Sequence, residues 1–72
     1  MRKIDFKVAV WQEGKYYISQ CLNLDISSYG RTKKESLSNL QEALELYLED
    51  VDSPKLTKVK KPDVVSLKMQ YA

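Results

Sequence analysis

The stretch Gly30-Arg31-Thr32-Lys33-Lys34-Glu35, which opens the run GRTKKESLSNLQEALELYLEDV over positions 30–51, is the clearest local signal in the chain. Thr32 followed three residues later by Glu35 fits a capping box, in which hydroxyl and carboxylate satisfy exposed backbone N–H groups at a helix start. Apolar residues then recur at intervals of three and four: Leu37, Leu40, Leu44, Tyr47, Leu48 and Val51. This spacing predicts an amphipathic helix that stops near Asp52, because the following Ser-Pro pair disfavours continuation.

Three strands are predicted before this helix. Residues 2–11 alternate apolar and polar side chains, and residues 16–24 are rich in aromatic and β-branched ones, so the two segments are predicted as a hairpin. The polar loop 12–15 between them contains Gly14, which takes the positive φ of a short turn without strain. The short serine-rich segment 25–29 is predicted as a third strand.

The region after the helix has two parts. Residues 55–63 form a lysine-rich connector bounded by two prolines, and in residues 65–71 apolar side chains alternate with polar ones. That alternation predicts a final half-buried strand, which after a helical crossover is expected to join the sheet parallel to an earlier strand. The sequence therefore predicts an α+β fold, a single β-β-β-α-β domain over residues 1–72 with one helix packed on a small mixed sheet.

The size of the chain favours self-association. A domain of 72 residues has a small core, and such domains often gain stability from a disulfide, a metal or a second subunit. Cys21 is the only cysteine and there is no histidine, which excludes an internal disulfide and argues against zinc. A homodimer or tetramer is therefore expected. The single cysteine, the alternating N-terminus and the lack of a ~20-residue apolar run predict a cytoplasmic protein.

The residue types argue against catalysis. Without histidine the usual general base for nucleophilic catalysis is missing, and Cys21 lies inside a predicted strand, as a core or interface residue does. Asp5 and Asp25 lie on or beside neighbouring strands, but two-metal chemistry needs more carboxylates than these. Neither glycine belongs to a phosphate-binding motif. We expect a binding protein without a cofactor.

The arrangement of charges says more than the net charge of +2. Residues 35–52 carry six carboxylates and no lysine or arginine, whereas residues 55–61 carry four lysines and no acid. An acidic surface repels phosphates, so this pattern suits a protein partner better than DNA. Two solvated faces without a partner remain an equally good interpretation of the charges alone.

The aromatic residues of the hairpin also indicate a binding surface. Tyr16 and Tyr17 are adjacent on a predicted strand and point to opposite faces, so one of them lies away from the helix, where we also expect Trp11. Exposed aromatics beside lysines can stack on single-stranded RNA. They also serve as anchors in protein interfaces, and we favour that use.

From Cys21-Leu22-Asn23-Leu24-Asp25, through GRTKKE at 30–35, to LQEAL at 40–44, the sequence resembles HicB-type antitoxins. The hairpin before this region and the alternating segment after it lie where that family has them, so the resemblance covers nearly the whole chain. The positions that match the family pattern are Leu24, Gly30, Thr32, Glu35, Glu42 and Ala43.

The chain also departs from that pattern. The two prolines of the family's x-P-x-L-P-G passage are replaced by Leu22 and Asp25, its glycine by Ile26, and the alanine after the first glutamate by Ser36. Many members carry a C-terminal helix-turn-helix or ribbon-helix-helix segment that binds operator DNA. No such segment precedes Ala72, so we expect the toxin-binding module alone, and DNA binding is not supported.

The resemblance implies a partly RNase H-like fold without nuclease residues, assembled into dimers or tetramers. The implied partner is a small basic HicA-type toxin, an mRNA-cleaving protein with a double-stranded-RNA-binding-like fold. An antitoxin of this type covers the active site and the RNA-binding surface of the toxin. The acidic helix is suited to that task, because an RNA-binding toxin presents a basic face.

We expect two groups of partner contacts, the stronger on the helix and the weaker on the hairpin. They are Glu42, Glu45, Leu46 and Glu49 on the helix, and Trp11, Tyr17 and Asn23 on the hairpin. Two other functions remain open. One is an RNA-binding module that uses the exposed aromatics together with Lys55, Lys58, Lys60 and Lys61, and the other is an orphan oligomeric scaffold domain that has lost its toxin.

Overall fold

A computed structural model describes residues 4–51 and 54–70 as three strands followed by one helix. The strands are β1 (Val8–Glu13), β2 (Tyr16–Cys21) and β3 (Ile26–Gly30), and the helix is α1 (Lys33–Asp50). The sheet is antiparallel throughout, with the order β1-β2-β3. The predicted α+β class and the β-β-β-α order are thus confirmed.

The hairpin is formed as predicted, but β1 starts later and continues through Gln12 and Glu13, which were predicted as loop, so the turn is the two residues 14–15. β1 and β2 pair from Val8 opposite Cys21 to Glu13 opposite Tyr16, and Gly14 between them has a φ of 58°. Residues 4–7 lie outside β1, although the Leu22 N–H still donates to the carbonyl of Lys7 over 2.8 Å. Arg2 and Lys3, which the prediction included in the strand, lie outside the described residues.

The pleat divides the sheet residues between two faces, because residues directly opposite each other in an antiparallel pair share a face. One face packs against α1 and contributes Val8, Cys21 and Ile26 to the apolar interior. The helix contributes Leu40 and Leu44. α1 lies mainly over β3 and β2 and barely reaches β1, so this core is small and off-centre.

The start of the helix has the predicted capping geometry. Thr32 is the N-cap with φ −131°, and its Oγ1 accepts from the Glu35 N–H over 3.0 Å. The Glu35 carboxylate returns to the chain before the helix, where Oε1 accepts from the Arg31 N–H over 3.3 Å. The threonine half of the predicted capping box is therefore confirmed, whereas the Glu35 carboxylate accepts from the residue before the N-cap and not from the N-cap itself.

The helix approaches the sheet most closely at Gly30. A Cβ on Gly30 would lie 2.7 Å from the backbone nitrogen of Ser36, closer than real Cβ contacts, so this position requires glycine. Next to it, Ser19 Oγ donates to the Ser36 carbonyl over 2.9 Å, and both serines are fully buried. The hydroxyl of Ser36 itself has no hydrogen-bond partner in the described part of the chain.

The predicted final strand over 65–71 is wrong for its described part, 65–70, which is not in a strand, and Tyr71 lies outside the described residues. The predicted mixed sheet is wrong for the same reason, since the residues that the structure describes form no parallel fourth strand. Pro62 and Val64 line a cavity beside β1. Lys61, just before them, has a φ of 43°, and the residues after Val64 are exposed. Alternation predicts which side chains share a face but supplies no neighbouring strand.

Replacing each of the two buried serines by alanine should change the free energy of unfolding in opposite directions. Ser36→Ala removes a buried hydroxyl without a partner and should raise the free energy of unfolding by about 1 kcal/mol. Ser19→Ala removes the donor to the Ser36 carbonyl and should lower it by about 1 kcal/mol. Urea unfolding followed by circular dichroism measures both, and a loss of stability in Ser36→Ala would mean that its hydroxyl is satisfied in solution.

Candidate functional site

The outward side of α1 forms an acidic face, which we define as Glu42, Glu45, Leu46 and Glu49. All four side chains are exposed and lie opposite the buried stripe of Leu40 and Leu44. Leu46 is 58% exposed and lies within three or four helical positions of Glu42 and Glu49, so its apolar side chain is flanked by carboxylates. The four residues predicted as the stronger partner contacts are thus brought together.

The negative charge of this face is poorly compensated. Among the described residues the only salt bridge joins Lys7 and Asp5, 3.1 Å apart on the N-terminal segment. Glu45 accepts from the Gln41 amide over 3.1 Å, and the last helical turn contains no basic residue. Carboxylates at Glu49 and Asp50 lie at the negative end of the helix dipole, where a cation is favoured. A basic partner would relieve this repulsion.

The side of the sheet away from α1 forms a second surface, the aromatic face, which we define as Trp11, Tyr16, Ile18 and Tyr29. The rings of Tyr16 and Tyr29 meet edge to face, 5.7 Å between centroids, and Tyr29 is 62% exposed. Trp11 Nε1 donates to Glu13 Oε1 over 3.0 Å. These contacts orient the rings, which remain partly exposed to solvent, as aromatic interface anchors are.

Of the two adjacent tyrosines, Tyr16 is the one that shares a face with Trp11. Tyr17 is half-buried on the α1 side, opposite Gly30 in the sheet register. Tyr17, a predicted partner contact, is therefore not on the aromatic face, whereas Tyr29, which was not among the predicted contacts, is. The register of β2 and β3, which places Ile18 opposite Tyr29, is the signal that identifies this face.

Asn23 lies apart from both faces and links two segments that are distant in sequence through its side-chain amide. Its Oδ1 accepts from the Lys7 N–H, and its Nδ2 donates to the Thr57 carbonyl, each over 2.7 Å. The Thr57 N–H in turn donates to the Asn23 carbonyl over 3.2 Å. Asn23 therefore fixes the entry to β1 and the connector after α1 to the end of β2, beside an open cavity of about 290 Å³.

The residues weighed for catalysis are placed as structural or solvated groups. Cys21 is 1% exposed in the core, and Asp5 pairs with Lys7 at the surface. Within residues 4–51 and 54–70 no group of three histidine, cysteine, aspartate or glutamate side chains lies close enough to hold a metal ion. Nor does the described part contain a helix that is long and apolar enough to span a membrane.

The chain has no significant match to any protein-family model, to any curated protein or to any solved structure.

Replacing Asn23 by alanine should release the connector. Asn23→Ala removes both side-chain hydrogen bonds and should lower the free energy of unfolding by about 1–3 kcal/mol. Trypsin should then cleave at Lys55 and Lys58 faster than in the unmodified protein. Asn39→Ala is the matched control. The Asn39 amide donates from α1 to the Tyr29 carbonyl of β3 and, within the described residues, has no hydrogen bond to the connector. Equal cleavage rates in both variants would show that Asn23 does not hold the connector.

Proposed function

We propose that this protein is an antitoxin-like binding protein that neutralises a HicA-type mRNA-cleaving toxin by masking the active site and RNA-binding surface of the toxin. The observation that carries the proposal is the acidic face, an exposed row of carboxylates around Leu46 without basic neighbours on the helix. The motif from Cys21 to Ala43 supports the same interpretation, since it matches the HicB pattern at six positions over the segment that forms β3 and α1.

The acidic face supports masking through charge and shape together. A protein that binds RNA offers lysines and arginines to phosphates, and a rigid row of carboxylates competes for the same cations. The spacing of Glu42, Glu45 and Glu49 along α1 places them on successive turns, about 5 Å apart along the axis. Leu46 supplies the apolar contact that excludes water from the centre of such an interface.

The proposal places the protein in the cytoplasm, where an mRNA-cleaving toxin meets its substrate. The direct experiment is co-expression with the small basic protein encoded beside this one, followed by affinity purification and a growth assay. A stable complex that restores growth supports the proposal. A well-folded protein that neither binds nor rescues growth contradicts it for that pair.

Charge reversal on the acidic face tests the surface itself. The double variant Glu45→Lys/Glu49→Lys should weaken toxin binding by about 10- to 100-fold in calorimetry, because attraction becomes repulsion. The matched control is Asp25→Lys/Asp63→Lys, which makes the same change in net charge at exposed positions away from α1. If the two double variants bind equally well, the acidic face is not part of the interface.

A second candidate function, binding of single-stranded RNA, is favoured by the aromatic face. Trp11, Tyr16 and Tyr29 present ring surfaces on the open side of a small sheet, a geometry on which bases stack. The lysines of residues 55–61 would supply backbone contacts. Titration with labelled RNA at two salt concentrations tests this function, because affinity through phosphates falls as salt rises. Tyr29→Ala should weaken such binding while Tyr47→Ala, on the other side, serves as a control for folding.

A further inference from the structure

The segment 65–70, which we call the C-terminal segment, has the side-chain pattern of a strand without a strand's surroundings. Val65, Leu67 and Met69 are 73%, 83% and 81% exposed, and the polar side chains between them are exposed as well. The radius of gyration is 14.5 Å, against about 11 Å for a compact domain of this length, and the longest dimension is 50 Å. An alternating apolar segment therefore extends into solvent.

β1 is an edge strand with hydrogen-bonding capacity that the sheet does not use. The Leu22 N–H donates to the Lys7 carbonyl, and hydrogen-bonded pairs alternate along an antiparallel ladder. The backbone groups of Val8, Val10 and Gln12 consequently point outward from the sheet. β1 is six residues long, the same length as the C-terminal segment, so the two can pair along their whole length as parallel strands with Val65 beside Val8.

The β1 edge also has room for apolar side chains. α1 covers β3 and β2 and barely reaches β1. A cavity of about 310 Å³ at the β1 edge is lined by Val8, Ala9, Val10 and Leu22 on one side and by residues 62–64 on the other. A strand added at this edge would place alternate side chains over that cavity. Val65, Leu67 and Met69 would lie on the same face of the added strand and would extend the small core toward the β1 edge.

The polar side of an added strand matches the other face of the sheet. With the three apolar residues toward α1, Lys68 falls on the side that carries Trp11 and Glu13. Glu13 already accepts from the Trp11 indole, and a lysine beside this pair adds an opposite charge next to an aromatic ring. The charge of Lys68 and the hydrophobic pattern thus indicate the same orientation of the added strand, with its apolar side chains toward α1.

The turn before the C-terminal segment directs it away from its own sheet. Lys61 has a φ of 43°, a left-handed conformation that favours glycine, and Pro62 follows it. Residues 62–64 line the cavity beside β1 but are exposed, and residues 65–70 do not line it. Short hinge loops under strain invite the exchange of a terminal segment between identical chains.

We propose that residues 65–70 of one copy pair as a fourth strand with β1 of a second copy, and the reverse, so that two chains complete each other's sheets. A second copy of the chain supplies a strand whose length, alternating side chains and Lys68 charge all match the β1 edge. This inference does not depend on the toxin.

Light scattering after size-exclusion chromatography tests the assembly. The unmodified protein should be a dimer at micromolar concentration, and Leu67→Lys/Met69→Lys should be a monomer with an unchanged helical circular dichroism signal. Ser66→Lys/Gln70→Lys is the matched control, because it adds the same charges on the other parity and should remain dimeric. Deletion of residues 64–72 should also give a folded monomer.

Paramagnetic broadening identifies the pairing. A nitroxide on Gln70→Cys of an unlabelled copy, mixed with ¹⁵N-labelled unmodified protein, should broaden amide signals of β1 in the labelled copy and spare those of β3. The buried Cys21 stays unlabelled under native conditions.

Three results would overturn the proposal. The first is a monomeric unmodified protein, whether its C-terminal segment closes on its own β1 or stays free for a different partner. The second is a dimer that persists in the variant Leu67→Lys/Met69→Lys. The third is broadening of amide signals that is confined to α1 or β3.

Discussion

The close approach of the helix start to the sheet at Gly30 is the constraint on which the rest of the structure depends. Only hydrogen fits between Gly30 and the Ser36 backbone, and that contact lets Ser19 donate to the Ser36 carbonyl. The capping interactions of Thr32 and Glu35 fix the helix direction at the same point. Leu40 and Leu44 are then carried over β2 and β3, where Cys21 and Ile26 lie.

A single helix anchored at one end of β3 cannot cover the whole sheet. One side of the sheet remains open and presents the aromatic face, and the β1 edge is left beside a cavity. A domain with so few buried residues gains stability from any partner that binds only the folded state. The uncovered β1 edge is therefore where the proposed strand exchange is found, whereas the proposed toxin contact lies on the outward side of α1.

The hairpin, its turn and the capped helix could be predicted because each depends on short-range rules. Gly14 permits the positive φ of the turn, and the pair Thr32 and Glu35 caps the helix through residues only a few positions apart. The acidic face was equally predictable, since helical periodicity alone separates Glu42, Glu45 and Glu49 from the buried stripe. The choice between Tyr16 and Tyr17 was not, because either parity satisfies the alternation of an isolated strand.

The sequence by itself determined the order of the elements, the helix start and the composition of the helix faces, all of which follow from local backbone chemistry and side-chain period. Only the tertiary structure decided that Asn23 ties Lys7 to Thr57 and that Tyr29 joins Tyr16 on the open face. It also decided that residues 65–70 are not a strand within their own chain. Strand pairing is a contact between distant segments, and alternation states which side chains a strand would bury without stating which edge it meets.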